Sequence, residues 1–163
     1  MNLKSLAVAS ALVAASLSSQ ATTTNWAAHD QLEVGFATAV NTSVFDTFSF
    51  TLGQQSWVES STIAFGDLIG GSYSLYSAGT NGTIGGGDDV GLGAWTTNGA
   101  KHGLTLAAGT YFYSVLGGAS GSASYVLSSS AVAAPVPEPE TYAMLAAGLG
   151  IVGFVASRRR RND

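Results

Sequence analysis

Short segments rich in β-branched and aromatic residues recur through the middle of the chain, and clusters of Gly, Ser and Asn separate them. Several segments alternate between apolar and polar residues, a period of two that is typical of strands with one buried face. No segment in this region has the longer period of an amphipathic helix. The pattern predicts seven strands: residues 32–36, 45–52, 57–65, 73–76, 104–106, 111–116 and 125–129.

This density of strands determines the expected fold class. Seven short strands in roughly 100 residues are typical of an all-β sandwich or jelly roll. Residues 22–130 are enough for one two-layer core and not for two. In one strand Phe48 and Phe50 share the parity of Asp46, so one face carries two aromatic rings and a carboxylate. We therefore expect a single β-sandwich or jelly-roll-like domain.

The first 21 residues have the pattern of a secretory signal peptide. Lys4 supplies the positive start, residues 6–17 form an apolar run, and residues 19–21 form a small-x-small cleavage site. The alternative is a first transmembrane helix, but an apolar run of twelve residues is too short to span a hydrocarbon core of about 30 Å. The mature chain is therefore predicted to begin at Thr22.

The end of the chain combines three features in a fixed order: a Pro-Glu-Pro-Glu tetrad, an apolar run at residues 142–157 and a basic tail at residues 158–163. An apolar helix followed by arginines is typical of a membrane stop whose basic end stays in the cytoplasm. The run is therefore predicted to be a transmembrane helix, and residues 131–141 an extended Pro/Ala linker. The tetrad and the arginines are Pro137, Glu138, Pro139, Glu140, Arg158, Arg159, Arg160 and Arg161.

This order of tetrad, apolar span and basic end resembles the PEP-CTERM sorting tail of Gram-negative bacteria that make exopolysaccharide. The resemblance implies an exosortase-type protease as partner, an inner-membrane precursor, and release to the cell surface or extracellular matrix after processing. The alternative is an ordinary permanent anchor. Sixteen residues span only roughly 24 Å, so the anchor is marginal, which suits a segment that is later removed.

One predicted strand also resembles the FxDxF signature of a subgroup of these sorted proteins. Asp46, Phe48 and Phe50 match the pattern, whereas Val44 stands where the first Phe is expected. In that subgroup a Gly-rich stretch with a G-x-Y strand leads to the tail, and residues 109–126 are similar to it. The resemblance implies that this exported domain belongs to the same subgroup.

Charge is distributed unevenly and narrows the range of partners. Residues 22–134 contain seven carboxylates and one lysine, which leaves a net charge of −6, whereas four of the six basic residues lie in the tail. Such a domain lacks the basic surface needed to bind nucleic acid or anionic lipid. The absence of cysteine excludes disulfides, thiolate metal sites and a Cys nucleophile. An apolar core, a bound ion or self-association must then stabilise the domain.

The most promising polar cluster lies in the glycine-rich residues 79–93, where Asp88 and Asp89 are adjacent. Two carboxylates and neighbouring carbonyls in a flexible loop can coordinate a hard cation such as Ca²⁺. The spacing lacks the D-x-[DN]-x-[DN]-G order of an EF-hand loop. The alternative interpretation is a solvated turn.

The sequence offers little support for catalysis. The only histidines are His29 and His102, no G-x-S-x-G elbow is present, and the carboxylates show no spacing that predicts a shared site. Trp26, Trp57 and Trp95 are either a sugar-stacking platform or, as we favour, core and edge aromatics. We therefore predict a non-enzymatic structural or binding protein of the cell surface or exopolysaccharide matrix. The alternatives are a carbohydrate-binding module, with or without Ca²⁺, and a carbohydrate-active enzyme.

Overall fold

The computed structural model describes residues 21–135 and 139–159. The predicted signal peptide, except for Ala21, lies outside the described residues. Within them the elements are β1 (Thr23–Ala28), β2 (Leu32–Val40), β3 (Ser43–Leu52), β4 (Ser56–Ser77), β5 (Val90–Thr96), β6 (Asn98–Leu106), β7 (Gly109–Ala133) and α1 (Pro139–Arg159). The chain divides into two compact units between Ala133 and Ala134. Every strand pair and the described hydrophobic core lie before this division, so residues 22–133 contain what they need to fold alone.

Two long strands, β4 and β7, organise the sheet because each takes part in both of its layers. The later half of β4 and the earlier half of β7 pair with each other and with β3 and β5, and β1 adds to β3 in parallel; we call this layer sheet I. The other halves of β4 and β7 pair with β6 and β2, and we call this layer sheet II. The fold is therefore mostly β, as predicted, with a mixed sheet folded over its own core.

Glycine clusters bend these long strands instead of ending them. The sequence pattern predicts turns after residues 65 and 116, whereas β4 and β7 continue through both regions. Gly66, Gly70 and Gly121 adopt positive φ angles of 73°, 65° and 128°, and the register between β4 and β7 shifts beside the first two. Such bulges add twist and curvature at positions where a side chain would be strained. The four short strands predicted here are therefore two long ones.

Two strands were missed, and two predicted boundaries move. β1 lies in residues 22–30, for which no strand is predicted, and pairs in parallel with β3, whereas β5 begins inside the glycine-rich residues 79–93. β7 runs to Ala133, three residues past the predicted domain boundary at residue 130. Helix α1 begins at Pro139, inside the predicted linker, because proline lacks only a donor that the first helical turn does not use.

The core combines large side chains from both sheets with small inward residues on β2 of sheet II. Phe48, Phe50 and Tyr113 are buried on sheet I, and the first two share one face of β3, as its parity predicts. On sheet II, Gly35 lies directly below Phe48, and an added Cβ would stand 2.3 Å from Cε1 of that ring. Ser60 of β4 is also buried. The large apolar residues of β2 consequently point outward, opposite to the usual arrangement of an alternating strand. The other strands of sheet II also bury large side chains, namely Val58, Leu106, Tyr125 and Leu127.

Buried tyrosines bridge the two sheets through their hydroxyl groups. Tyr125 donates to Oδ2 of Asp46 at 2.6 Å, and Tyr73 donates to the carbonyl oxygen of Ser60 at 3.2 Å. The Tyr113 hydroxyl lies 3.0 Å from the Oγ of Ser129. Burial raises the pKa of all three tyrosines, and the Asp46 carboxylate raises that of Tyr125 further.

Stability is therefore expected to fall steeply in alkaline solution. The raised pKa values keep these phenols protonated in the folded state, whereas the unfolded chain loses the protons near pH 10, so the stabilisation is present below about pH 10 and is lost above it. Urea midpoints measured between about pH 8 and 11 test this. Tyr125→Phe should make the free energy of unfolding fall less steeply with pH, by up to about 1.4 kcal/mol per pH unit, because one fewer proton is released on unfolding. An unchanged slope would contradict the assignment of Tyr125.

Candidate functional site

The sorting tail is only partly covered by the structure. Pro139 and Glu140 form the start of α1, and Arg158 and Arg159 are its last residues. Pro137, Glu138, Arg160 and Arg161 lie outside the described residues. The tetrad is therefore not extended throughout, as the linker prediction required, because its second half is the first turn of the helix.

Helix α1 exposes apolar side chains between residues 143 and 154, and three glycines interrupt them. In residues 21–135 and 139–159, no helix combines the length and the apolar content needed to cross a membrane. The transmembrane helix predicted for residues 142–157 is therefore not confirmed, although a helix does contain those residues. Its large exposed apolar residues are Met144, Leu145, Leu149, Ile151, Val152 and Phe154.

The residues of the FxDxF-like motif lie inside the β domain. Asp46, Phe48 and Phe50 are 2%, 4% and 1% exposed, all on the inward face of β3. Phe48 packs against Trp26, with ring centroids 5.2 Å apart, and Phe50 stacks on Tyr113 at 5.5 Å. The aromatic members of the motif therefore build the core.

Asp46 is the exception because it is a carboxylate in that core. Its Oδ2 accepts the Tyr125 hydroxyl, and its Oδ1 accepts the backbone N–H of Thr22 at 2.9 Å. Within the part of the chain that the structure describes, no Lys, Arg or His pairs with it. A buried carboxylate without a cation is costly unless its oxygens are hydrogen-bonded, and here each oxygen has one donor.

The Asp88–Asp89 loop uses one oxygen of each carboxylate to hold its own backbone. Asp88 Oδ2 accepts the N–H groups of Thr80 and Asn81, and Asp89 Oδ2 accepts the N–H of Gly85 at 2.7 Å. The Asn81 donor, the largest cause, holds the pKa of the Asp88 carboxyl below its ordinary value. The Oδ1 atoms of Asp88 and Asp89 are enclosed and have no hydrogen-bond partner. A carboxylate oxygen without a donor is a ligand of the kind that hard cations prefer.

That donor set is small for calcium. In the described residues no group of three or more His, Cys, Asp or Glu side chains lies close enough to hold a metal ion. Ca²⁺ takes six to eight oxygen ligands, so backbone carbonyls and water would have to supply the rest. The calcium site predicted at Asp88 and Asp89 therefore stays a prediction.

A groove of about 670 Å³ lies at one end of the β domain, where the β1–β2 and β3–β4 turns meet the end of β7. His29 lines it, with Nε2 2.8 Å from the Oγ of Ser129. The distance suits a serine nucleophile and its base, but Ser129 is fully buried and shares its hydroxyl with Tyr113. The other ring nitrogen of His29 contacts the carbonyl oxygen of Asp30, not a carboxylate.

This His29–Ser129 pair therefore joins strands and is not arranged for substrate attack. No sequence pattern predicts this contact, because the two residues are 100 positions apart and belong to no shared motif.

The three tryptophans do not share one surface. Trp26 packs against the core, and Trp95 stacks on His102 with ring centroids 4.7 Å apart. Trp57 is half exposed on the outer face of sheet II. A sugar platform made of all three is therefore excluded, in favour of the interpretation as core and edge aromatics.

Comparison with protein families identifies a PEP-CTERM protein-sorting motif at residues 135–161. The motif implies that the protein is exported and processed by an exosortase. It covers the tail and does not extend into the β domain. A search of curated proteins finds no match for this chain.

Several solved structures are similar to the β domain at low sequence identity. The pre-peptidase C-terminal domain of a collagenase from Bacillus anthracis is 16% identical, with 69% of this chain and 96% of that chain covered and a TM-score of 0.46. A periplasmic inhibitor of g-type lysozyme, PliG from Aeromonas hydrophila, is 14% identical. The match covers 69% of this chain and 100% of that chain, with a TM-score of 0.44. The Salmonella Typhimurium PliG is 15% identical, with 68% and 99% covered and a TM-score of 0.41.

Proposed function

We propose that this chain is a non-enzymatic protein of the cell surface or exopolysaccharide matrix, with a structural or binding role. Its precursor is held in the inner membrane by the C-terminal segment until an exosortase removes that segment. The observation that carries the proposal is the sorting motif at residues 135–161, which follows directly after a self-contained β domain. Assignment to the FxDxF-type subgroup belongs to the same proposal, because Asp46, Phe48 and Phe50 match that signature.

The β domain supports a passive role in three ways. The Ser129 hydroxyl beside His29 is fully buried and out of reach of a substrate, and the carboxylates Asp46, Asp88 and Asp89 hydrogen-bond to backbone or tyrosine groups within the fold. Neither feature assembles the positioned nucleophile or acid–base pair that catalysis requires. The domain also carries a net charge of −6 from seven carboxylates and one lysine, which favours solubility over binding to anionic polymers.

Processing is tested by the intact mass of the exported protein. In a host with an active exosortase, the protein recovered outside the inner membrane is expected to lack Arg158 and everything after it. In a host without the enzyme, the same chain should keep its tail and stay with the membrane fraction. A glutamate replacement, Glu138→Ala, tests the tetrad, with Glu33→Ala as the control outside the motif. A surface protein that retains the four arginines in the active host would refute the proposal.

A second candidate function is calcium-dependent carbohydrate binding. The enclosed, unpartnered Oδ1 atoms of Asp88 and Asp89 favour it, because they are the carboxylate oxygens in the loop that lack a donor. A glycan array with and without a chelator distinguishes this candidate from a matrix component that has no discrete ligand.

If the loop binds Ca²⁺, millimolar calcium is expected to raise the melting temperature of residues 22–133. Saturation at about 100 times the dissociation constant stabilises a folded protein by about 2.7 kcal/mol. Asp89→Asn should abolish the shift, whereas Asp67→Asn, at an exposed carboxylate outside the loop, should leave it unchanged. Absence of both a calorimetric signal and a melting shift would remove the calcium site.

A further inference from the structure

The outer face of sheet II is apolar and exposed. On β2 every outward position is apolar except Thr38, and Phe36 is 70% exposed, whereas Gly35 and Ala39 face the core. On the neighbouring half of β4, Ile63 and Phe65 also point outward. We call this surface the sheet II face, and its main members are Leu32, Val34, Phe36, Val40, Ile63 and Phe65.

Strand register makes these residues one continuous surface. Phe36 lies opposite Val126 of β7, and Val126 lies opposite Ile63 of β4, so three apolar side chains form a row across three strands. The adjacent row places Val34 beside Ser128. Strands that are apolar outside and tightly packed inside are typical of sheets covered on both faces.

The near absence of net charge on the sheet II face indicates which kind of partner it can bind. On the outward positions of the three strands the only charged residue is Glu59, and Lys101 of β6 neutralises it at 2.8 Å. The other carboxylates give the domain its negative charge. Two copies of the domain therefore repel each other in most orientations but not through the sheet II face, and a basic partner would find no free carboxylates there to bind.

We propose that the sheet II face binds a second copy of the same domain. Six large side chains that are 41–70% exposed present on the order of 700 Å² of apolar surface together with their neighbours on β7. Each partner in a standard stable interface contributes about 800 Å², whereas monomers seldom expose so large a patch. The two sheets would pack face to face about 10 Å apart, as the layers of a sandwich do.

Sedimentation equilibrium of residues 22–133 between about 1 and 100 µM tests the pairing. The native sequence should form a dimer, and Val34→Thr with Phe36→Thr should weaken it at least tenfold. The matched control is Val90→Thr with Phe45→Thr on sheet I, because it makes the same two changes at residues that are 55% and 50% exposed. It should leave the dimer intact. A native domain that stays monomeric, or a control that dissociates equally, would overturn the proposal.

Cross-linking gives a second readout that does not depend on removing apolar residues. The chain has no cysteine, so Ser128→Cys places one thiol at the centre of the sheet II face. A bismaleimide with a spacer of about 10 Å should join two copies through it. Ser74→Cys, also half-buried but on the outer side of sheet I, should not cross-link. Equal cross-linking at both positions, or binding of monomers to lipid vesicles in place of dimers, would overturn the proposal.

A separate observation concerns the buried Asp46 and its contact with Thr22. The backbone nitrogen of Thr22 donates to Asp46 Oδ1, and its carbonyl oxygen accepts the N–H of Thr47 at 2.8 Å. Thr22 is also the first residue after the predicted cleavage site, and the inference depends on cleavage there. We propose that cleavage converts this hydrogen bond into an ion pair between the Thr22 amine and the buried Asp46 carboxylate. Water adds OH to the carbonyl of Ala21 and H to the nitrogen of Thr22, and the new amine takes a proton to become an ammonium group.

The melting temperatures of three versions of the domain, which all end at Ala133 and differ only at the N-terminus, test this ion pair. The form that begins with a free Thr22 amine should melt higher than a form that retains Ala21 or carries an Nα-acetyl group, by about 4–8 °C. In an Asp46→Asn background the three forms should have the same melting temperature. If the extra N-terminal group destabilised the domain without involving Asp46, the difference between the forms would persist in that background. Equal melting temperatures with the native aspartate, or a difference that persists unchanged in the Asp46→Asn background, would refute the ion pair.

Discussion

Replacing Asp46 with alanine is expected to lower the free energy of unfolding of residues 22–133 by about 3–5 kcal/mol. The carboxylate is 2% exposed and accepts one hydrogen bond on each oxygen, from Tyr125 and from Thr22. Its loss leaves the buried Tyr125 hydroxyl without its partner, removes the acceptor of the Thr22 N–H and opens a cavity beside them. Urea denaturation monitored by tryptophan fluorescence measures the change.

Two control variants separate the carboxylate from its neighbours. Tyr125→Phe keeps the ring and removes one hydrogen bond, so it should cost only about 1–2 kcal/mol. Asp67→Ala, at an exposed carboxylate, should change stability by less than about 0.5 kcal/mol. A loss at Asp46 no larger than at Asp67 would mean that Asp46 is hydrated, contrary to its burial.

Local patterns were enough to predict part of this molecule. The parity of β3 predicts that Asp46, Phe48 and Phe50 share one face, because side chains alternate between faces whatever the rest of the fold does. The sorting tail can also be predicted from local sequence, because its tetrad, apolar run and arginines are adjacent in the chain. The family comparison finds the motif there. The transmembrane length of the run, which is a quantitative property, was not confirmed.

Long-range packing accounts for what could not be predicted. Alternation in β2 shows that Leu32, Val34 and Phe36 share a face, but it does not say which face points inward. That choice is made by Phe48 on the other sheet, which takes the space above Gly35. The role of Asp46 depends on partners 24 and 79 positions away. The parallel pairing of β1 likewise depends on a strand that follows it by more than ten residues.

Gly35→Ala is expected to destabilise the domain by about 2–3 kcal/mol although it adds a single methyl group. The new Cβ would stand 2.3 Å from Cε1 of Phe48, a ring that is 4% exposed and is held by Trp26 and Tyr125 on its other sides. Overpacking of this kind is relieved only by moving the ring or the strand. Urea midpoints of the two proteins measure the loss.

Gly103→Ala is the matched control, because its Cβ would come equally close, 2.2 Å, to the ring of Trp57. Trp57 is 49% exposed and can swing into solvent, so this variant should cost less than about 1 kcal/mol. Phe48→Leu should restore part of the stability of Gly35→Ala, since a smaller side chain leaves room for the methyl group. If Gly35→Ala and Gly103→Ala proved equally mild, the ring of Phe48 would have to be mobile, and the small inward residues of β2 would not be what turns the apolar side of that strand outward.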